Sequence, residues 1–146
     1  MRLWHYELLP YLPDLQFKGQ LRELVAIMRD WRDKGTTNHL LINKVMEYEK
    51  NELIRYFEYY YICYHQRYGK WLDINYYKEF IDFKANEQGK KKYYSIDWHN
   101  KEYLRVCMAN LYEKHIFGIG KSRITNEEWE TLCRGHKDIT GEEYAI

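Results

Sequence analysis

The chain of 146 residues carries a formal net charge of +1 and three cysteines that lie far apart in the sequence. This length predicts one domain with its own core, and the charge excludes the strong positive excess of dedicated nucleic-acid binders, so any such site must rest on local patches. No segment reaches about 18 consecutive apolar residues and no apolar signal-peptide region opens the chain. We therefore expect no membrane partner, and a cytoplasmic protein with reduced thiols.

The first predicted helix begins at Pro13, after an apolar N-terminal segment (residues 1–12) that we expect to be ordered against the body. Gly35 is expected to end this helix. One face repeats every three or four residues and is formed by Phe17, Leu21, Leu24, Met28 and Trp31. Glu23 lies about 130° from the centre of that face, on a flank with Gly19, so helix packing alone does not bury its carboxylate.

The rest of the chain also has helical periodicity. Further helices are predicted over about 39–68 with a break near 47–51, over about 75–84, and from Asp97 or His99 to Gly118, with Thr36–Asn38 as caps for the first of these. Thr125 and Glu128 form a capping box that opens a short helix through about Cys133, and a loose tail is predicted over about 137–146. No alternating strand pattern appears. The predicted fold is all-α, one compact domain over residues 1–146 with about three main helices and some short ones.

A resemblance to a known family lies in four stretches, MRLWHYELLPYLP, GQLRELVAI, NELIRYFEYYYICYHQRYGKWLD and WHNKEYLRVCMANLYEK. Together they span about residues 1–115 and resemble the pyrimidine-dimer DNA glycosylases typified by the phage endonuclease V. The opening Met-Arg-Leu-Trp-His is most similar to a bacterial branch of that family. The resemblance implies a compact all-α domain with its N-terminal segment threaded between the helices. It also implies a monomer that needs no cofactor and acts on double-stranded DNA with a damaged or modified base.

The resemblance further implies a DNA glycosylase with abasic-site lyase activity, in which the α-amino group of the chain attacks C1′ of the nucleotide, expels the base and leaves an imine. The catalytic residues are then Met1, Arg2 and Glu23. The amine belongs to Met1, because Arg2 is too bulky for normal removal of the initiator methionine. The ordinary pKa of an α-amino group, about 7.7–8.0, leaves a useful fraction of such an amine unprotonated near neutral pH. Glu23 sits where the family places the carboxylate that assists ring opening and β-elimination.

Five residues form the predicted substrate-binding set. Arg22 is expected to hold the phosphate beside the reacting sugar. His5 orients a phosphate or the amine, Gly19 leaves room for a close approach, Arg29 shares the flank of Arg22, and Lys114 lies on a later helix. The structural alternatives are a solvated helix flank for the Arg-Glu pair and, for His5, a partly buried neighbour of the first helix.

Three features depart from the family pattern. Arg2 replaces a small residue, Ala26 stands where a further arginine is expected, and the chain ends in the acidic GEEYAI instead of an aromatic and basic tail. These departures argue against specificity for pyrimidine dimers. Lys90, Lys91 and Lys92, together with Lys121 and Arg123, are solvated loop residues in the simplest interpretation, and candidate phosphate contacts in a complex with DNA.

Two alternative functions stay open from the sequence. The first is a non-catalytic nucleic-acid-binding or protein-interaction module that retains the fold. The second is a hydrolase that acts on another substrate through Glu23 and the histidines. A metal site is not predicted, because the histidines and cysteines have no close ligand spacing.

Overall fold

The computed structural model describes residues 2–34, 39–85 and 89–145. The helices are a 3₁₀ helix at Tyr6–Tyr11, α1 at Asp14–Asp33, α2 at Leu40–Met46, α3 at Lys50–Tyr68, α4 at Ile74–Asp82, α5 at Tyr94–Asp97, α6 at Lys101–Phe117, a second 3₁₀ helix at Gly120–Ser122 and α7 at Asn126–Thr140. Extended pairing within these ranges is limited to one parallel bridge between Tyr48 and Lys91. The all-α prediction is confirmed. No helix in the described ranges is both long and apolar enough to span a membrane.

Several helix ends follow the chemistry that the sequence predicts. The Thr125 hydroxyl accepts a hydrogen bond from the Glu128 backbone N–H at 3.1 Å, and the Glu128 carboxylate accepts one from the Thr125 N–H at 2.9 Å. This reciprocal pair is the predicted capping box of α7. Helix α3 ends at Gly69, whose φ of 70° favours a residue without a Cβ. The predicted break between α2 and α3 is also present.

Other boundaries differ from the prediction. The short helix α5 was not predicted, and α6 begins only at Lys101, where the Asn100 side chain caps it. Helix α7 continues past Cys133 to Thr140, because its buried face continues through Gly135 and His136. The segment beyond it packs back as well, with the Tyr144 ring edge-on to Trp129 at 5.5 Å. The predicted end of α1 at Gly35 and the caps at Thr36–Asn38 lie outside the described residues.

The N-terminal segment runs through the middle of the helices, as predicted. Its buried side chains are those of Leu3, Trp4, Leu8, Leu9 and Leu12. Helix α3 holds its backbone through the Tyr56 hydroxyl, which donates to Trp4 O at 2.6 Å, and α6 holds it through the Tyr103 hydroxyl, which donates to Leu3 O at 2.6 Å. Helix α7 approaches so closely that a Cβ on Gly135 would stand 2.4 Å from the Tyr11 ring. Only glycine permits that contact.

Helix α1 packs on the core through the apolar face that the sequence predicts, and its Phe17 ring stacks on Tyr60 of α3 at 4.4 Å. Phe17, Leu24, Met28 and Trp31 are fully buried, whereas Leu21 is only half-buried. Burial of each such side chain contributes about 1.5–3 kcal/mol to stability. This packing fixes the rotation of α1, and therefore the direction in which its flanks point.

Candidate active site

The carboxylate of Glu23 meets the backbone at the start of the chain. Its Oε2 accepts a hydrogen bond of 3.0 Å from the backbone nitrogen of Arg2. Glu23 is half-buried because the N-terminal segment covers the flank of α1 that the apolar face leaves open. The fold thus brings together two of the three predicted catalytic residues. The third, Met1, lies outside the described residues.

Gln20, one turn before Glu23 on α1, connects the two partners. Its Nε2 donates to Arg2 O at 2.9 Å and reaches Glu23 Oε2 at 3.4 Å, while its Oε1 accepts from the Trp4 backbone N–H at 2.8 Å. The side chain is fully buried. Because buried hydrogen-bonding groups are costly to leave unpaired, this amide fixes the register of residues 2–4 against α1.

Buried Tyr56 on α3 and half-buried Tyr103 on α6 complete the support. The Tyr56 hydroxyl donates to Trp4 O and also lies 3.2 Å from Gln20 Oε1. Burial raises the pKa of Tyr56 well above 10, and it also raises the pKa of Tyr103, which donates to Leu3 O. Both phenols are therefore neutral donors at physiological pH. The first residues of the chain are held by a rigid set of uncharged hydrogen bonds.

His5 lies in the interior beside α6, with 2% of its surface exposed. Its Nδ1 accepts from the Glu7 N–H at 3.2 Å, and its ring centroid is 5.4 Å from that of His99. Desolvation lowers the pKa of His5 to about 4 and that of His99 well below its usual value. Both rings are neutral near pH 7. His5 is therefore built into the support of the N-terminal segment, where its ring is 6.4 Å from that of Tyr103 on α6.

Arg22, next to Glu23 on α1, is exposed. A Cβ built on Gly19 would lie 3.5 Å from Arg22 Nη2, so the guanidinium extends over the glycine of the preceding turn. The side chain also lines a groove of about 290 Å³ with Leu21, Val25, Ala26, Arg29 and Tyr76. Because Ala26 is small, this groove stays open where the family pattern has another arginine. An exposed guanidinium at the edge of a groove can bind a phosphate.

Arg29 shares that groove but is already engaged. Its guanidinium donates two hydrogen bonds to the Glu79 carboxylate, at 2.9 and 3.0 Å. Arg32 donates to the same carboxylate at 3.0 Å. These hydrogen bonds lower the pKa of Glu79, and they raise the pKa of Arg29. A phosphate contact by Arg29 would compete with this pair.

Lys114 stands apart from Glu23, near the C-terminal end of α6, and is exposed. It lies two turns beyond Cys107, whose Sγ is 3.4 Å from the His5 backbone nitrogen. No contact in the described ranges joins Lys114 to the Glu23 carboxylate. No group of three or more His, Cys, Asp or Glu side chains in these ranges could hold a metal ion.

Sequence reasoning missed the residues that build the support, Gln20, Tyr56, His99 and Tyr103. The sequence position of Gln20 offered one indication of its role, because a residue three positions before Glu23 lies on the same flank of the helix. The two tyrosines and His99 gave none, because they reach the N-terminal segment across 52 to 100 residues of chain.

Comparison with known proteins adds one finding. Residues 1–70 match the family model described as pyrimidine dimer DNA glycosylase. The resemblance predicted from the sequence is thereby confirmed over residues 1–70, which contain the N-terminal segment, Gln20, Arg22 and Glu23, and it stays a prediction for the stretch beyond. No curated protein and no solved structure matches the chain.

Proposed function

Because the chain belongs, through residues 1–70, to the pyrimidine dimer DNA glycosylase family of DNA-repair enzymes, we propose that it excises a base from double-stranded DNA and nicks the resulting abasic site. The nucleophile is the α-amine of Met1, and the acid/base group is Glu23. Arg22 binds the phosphate beside the reacting sugar. A monomeric state and a cytoplasmic location stay predictions.

The observation that carries the proposal is the 3.0 Å hydrogen bond from the Arg2 nitrogen to Glu23 Oε2. In any peptide the nitrogens of consecutive residues are separated by three covalent bonds, which span at most about 4 Å. An amine on the residue before Arg2 is therefore tethered close to the carboxylate. The reaction requires that amine and carboxylate both reach one sugar, and the hydrogen bond between Arg2 and Glu23 supports this requirement.

The steps assign a task to each group. The amine lone pair attacks C1′, the C1′–N bond to the base breaks, and the base leaves with that electron pair and takes up a proton from solvent. The attached α-nitrogen gives one of its protons to the Glu23 carboxylate. The sugar ring then opens at its C1′–O4′ bond, with Glu23 giving the proton to O4′, and leaves an imine between C1′ and the α-nitrogen. The Glu23 carboxylate next removes a proton from C2′, and the C3′–O bond breaks with departure of the 3′ phosphate.

Borohydride trapping on a duplex with one abasic site tests this mechanism. The reductant converts the imine into a stable amine, so the wild-type protein should give a covalent protein–DNA band. Chemical blocking of the α-amine should abolish the band, because no imine can form. Glu23→Gln should keep the band and slow strand cleavage by about a hundredfold or more. Glu130→Gln is the matched control, an exposed glutamate on α7 whose loss should leave both readouts unchanged.

The alternative outcomes separate the candidate functions. If the wild type gives no band where a known lyase gives one, the lyase mechanism is wrong. Duplex binding without any band would favour the non-catalytic binding module. A band that survives amine blocking would assign the nucleophile to a lysine instead of Met1.

Arg2→Ser shifts the amine by one residue and tests the pairing with Glu23. A small second residue permits removal of Met1, so the free amine becomes the nitrogen that now donates to Glu23. We expect mass spectrometry to show the shortened chain and trapping to persist or accelerate. Loss of trapping in a correctly shortened, folded variant would contradict the proposed role of this hydrogen bond.

A further inference from the structure

The corner between α6 and α7 exposes apolar side chains in a strongly basic segment. Phe117 is 75% exposed and Ile119 is 85% exposed. Residues 114–124 contain Lys114, Lys121 and Arg123 and no acidic residue, a local charge of +3 in a chain whose net charge is only +1. In the described ranges, none of these three cations makes an ion pair.

The corner is rigid and does not depend on a ligand for its shape. The Ile124 N–H donates to Lys114 O at 3.3 Å, and the Ser122 hydroxyl donates to Ile119 O at 2.7 Å. Ile124 is buried, and its carbonyl is 2.8 Å from His115 Nδ1. A Cβ on Gly118 would stand 2.3 Å from Lys114 O, so any larger residue would clash with the backbone at this turn. These contacts hold the backbone that carries the two apolar side chains, which lowers the ordering cost of any contact they make.

Helix α6 connects the N-terminal segment to the corner. Near its start this helix contacts the N-terminal segment through Tyr103 and Cys107. Phe117 lies ten residues beyond Cys107, which is about 15 Å along the helix axis. A duplex rises 3.4 Å per base-pair step, so this distance corresponds to about four or five steps. One duplex bound at Glu23 is long enough to reach the corner.

We propose that Phe117 and Ile119 form an apolar wedge that enters a base step of the same DNA duplex, while Lys114, Lys121 and Arg123 bind the flanking phosphates. Apolar side chains between basic residues are the arrangement by which proteins unstack a step and bend the duplex. A protein partner would also accept the apolar side chains, but three cations without an anion favour a polyanion. The inference rests on the proposed function, because it takes DNA as the substrate.

The test uses 2-aminopurine, whose fluorescence rises when it is unstacked, at successive steps from an unreactive abasic-site analogue in a duplex. Binding is followed separately by anisotropy. The wild type should raise the fluorescence severalfold at one position about four or five steps from the analogue. The double variant Phe117→Ala/Ile119→Ala should lose that rise and bind about tenfold more weakly. Leu40→Ala is the control, since Leu40 is 84% exposed but lies at the start of α2.

A second variant keeps the wedge and removes charge. Lys121→Gln/Arg123→Gln should reduce the slope of log affinity against log salt by about 2, whereas the wedge variant should keep the wild-type slope. Wild-type binding without a fluorescence rise at any position would overturn the wedge and leave the glycosylase proposal intact. Absence of wild-type duplex binding would overturn both.

Discussion

Helix α1 uses polar side chains in two different ways along its length. At Gln20 and Glu23 they are buried or half-buried and bind the backbone of the N-terminal segment. Two turns later, Arg29 and Arg32 converge on Glu79 at the surface. The first set fixes one backbone geometry because unpaired buried groups are costly, whereas the exposed set is screened by water and salt. The comparison indicates that the precision of the candidate site comes from buried hydrogen bonds to the backbone and not from ion pairs.

The largest expected effect is that of Gln20→Leu. It leaves the Trp4 N–H and the Arg2 carbonyl without their partner, which should lower the free energy of unfolding by about 3–4 kcal/mol. Gln16→Leu is the matched control one turn earlier on α1, where Oε1 is buried without a hydrogen-bond partner. We expect this control to be neutral or stabilising, because it removes an unpaired polar atom. Urea unfolding of the two variants measures the contrast, and equal losses would refute it.

A smaller effect should appear as the pH falls. The pKa of His5 is about 4 in the folded protein against 6.5 for the free side chain, so the folded state binds the proton later than the unfolded chain does. The contribution of His5 to the free energy of unfolding is therefore fully present above pH 6.5 and is lost as the pH falls towards 4. His99 acts in the same direction. The loss attributable to His5 is on the order of 2–3 kcal/mol.

His5→Asn isolates that contribution. An asparagine oxygen can accept the Glu7 N–H that Nδ1 now accepts, but it does not titrate in this range. We expect a flatter dependence of the melting temperature on pH between about 4 and 6.5 in the variant. An unchanged profile would show that His5 is not the responsible group.

The smallest expected effect is that of Glu79→Gln on α4, which removes the partner of Arg29 and Arg32 on α1. Removal of the charge should lower stability by less than about 1 kcal/mol, and high salt should reduce the difference further. It should also release Arg29 for the groove that it shares with Arg22. If duplex affinity rises in this variant, Arg29 binds phosphate once its ion pair with Glu79 is removed. Constant affinity would assign Arg29 a structural role.

The sequence predicts the helices well where one segment contains the whole signal. The buried face of α1 and the capping box of α7 are local patterns, and both are confirmed. The continuation of α7 to Thr140 was not predictable in this way, because Gly135 is explained only by the Tyr11 ring on another element. The same limit applies to the site. The sequence predicts the motif around Glu23. It does not predict the roles of Tyr56 and Tyr103, because their hydrogen bonds to the N-terminal segment form only in the folded chain.

The close contact between Gly135 and Tyr11 has a consequence for how this protein could be divided. Residues 1–70 match the family model, yet the first twelve of them pack against α6 and α7. A fragment ending near residue 70 would retain every proposed catalytic group and lose the contacts of α6 and α7 that hold the N-terminal segment. The segment that matches the family is therefore shorter than the structural unit that holds it. Transfer of residues 1–70 to another protein would require α6 and α7 as well.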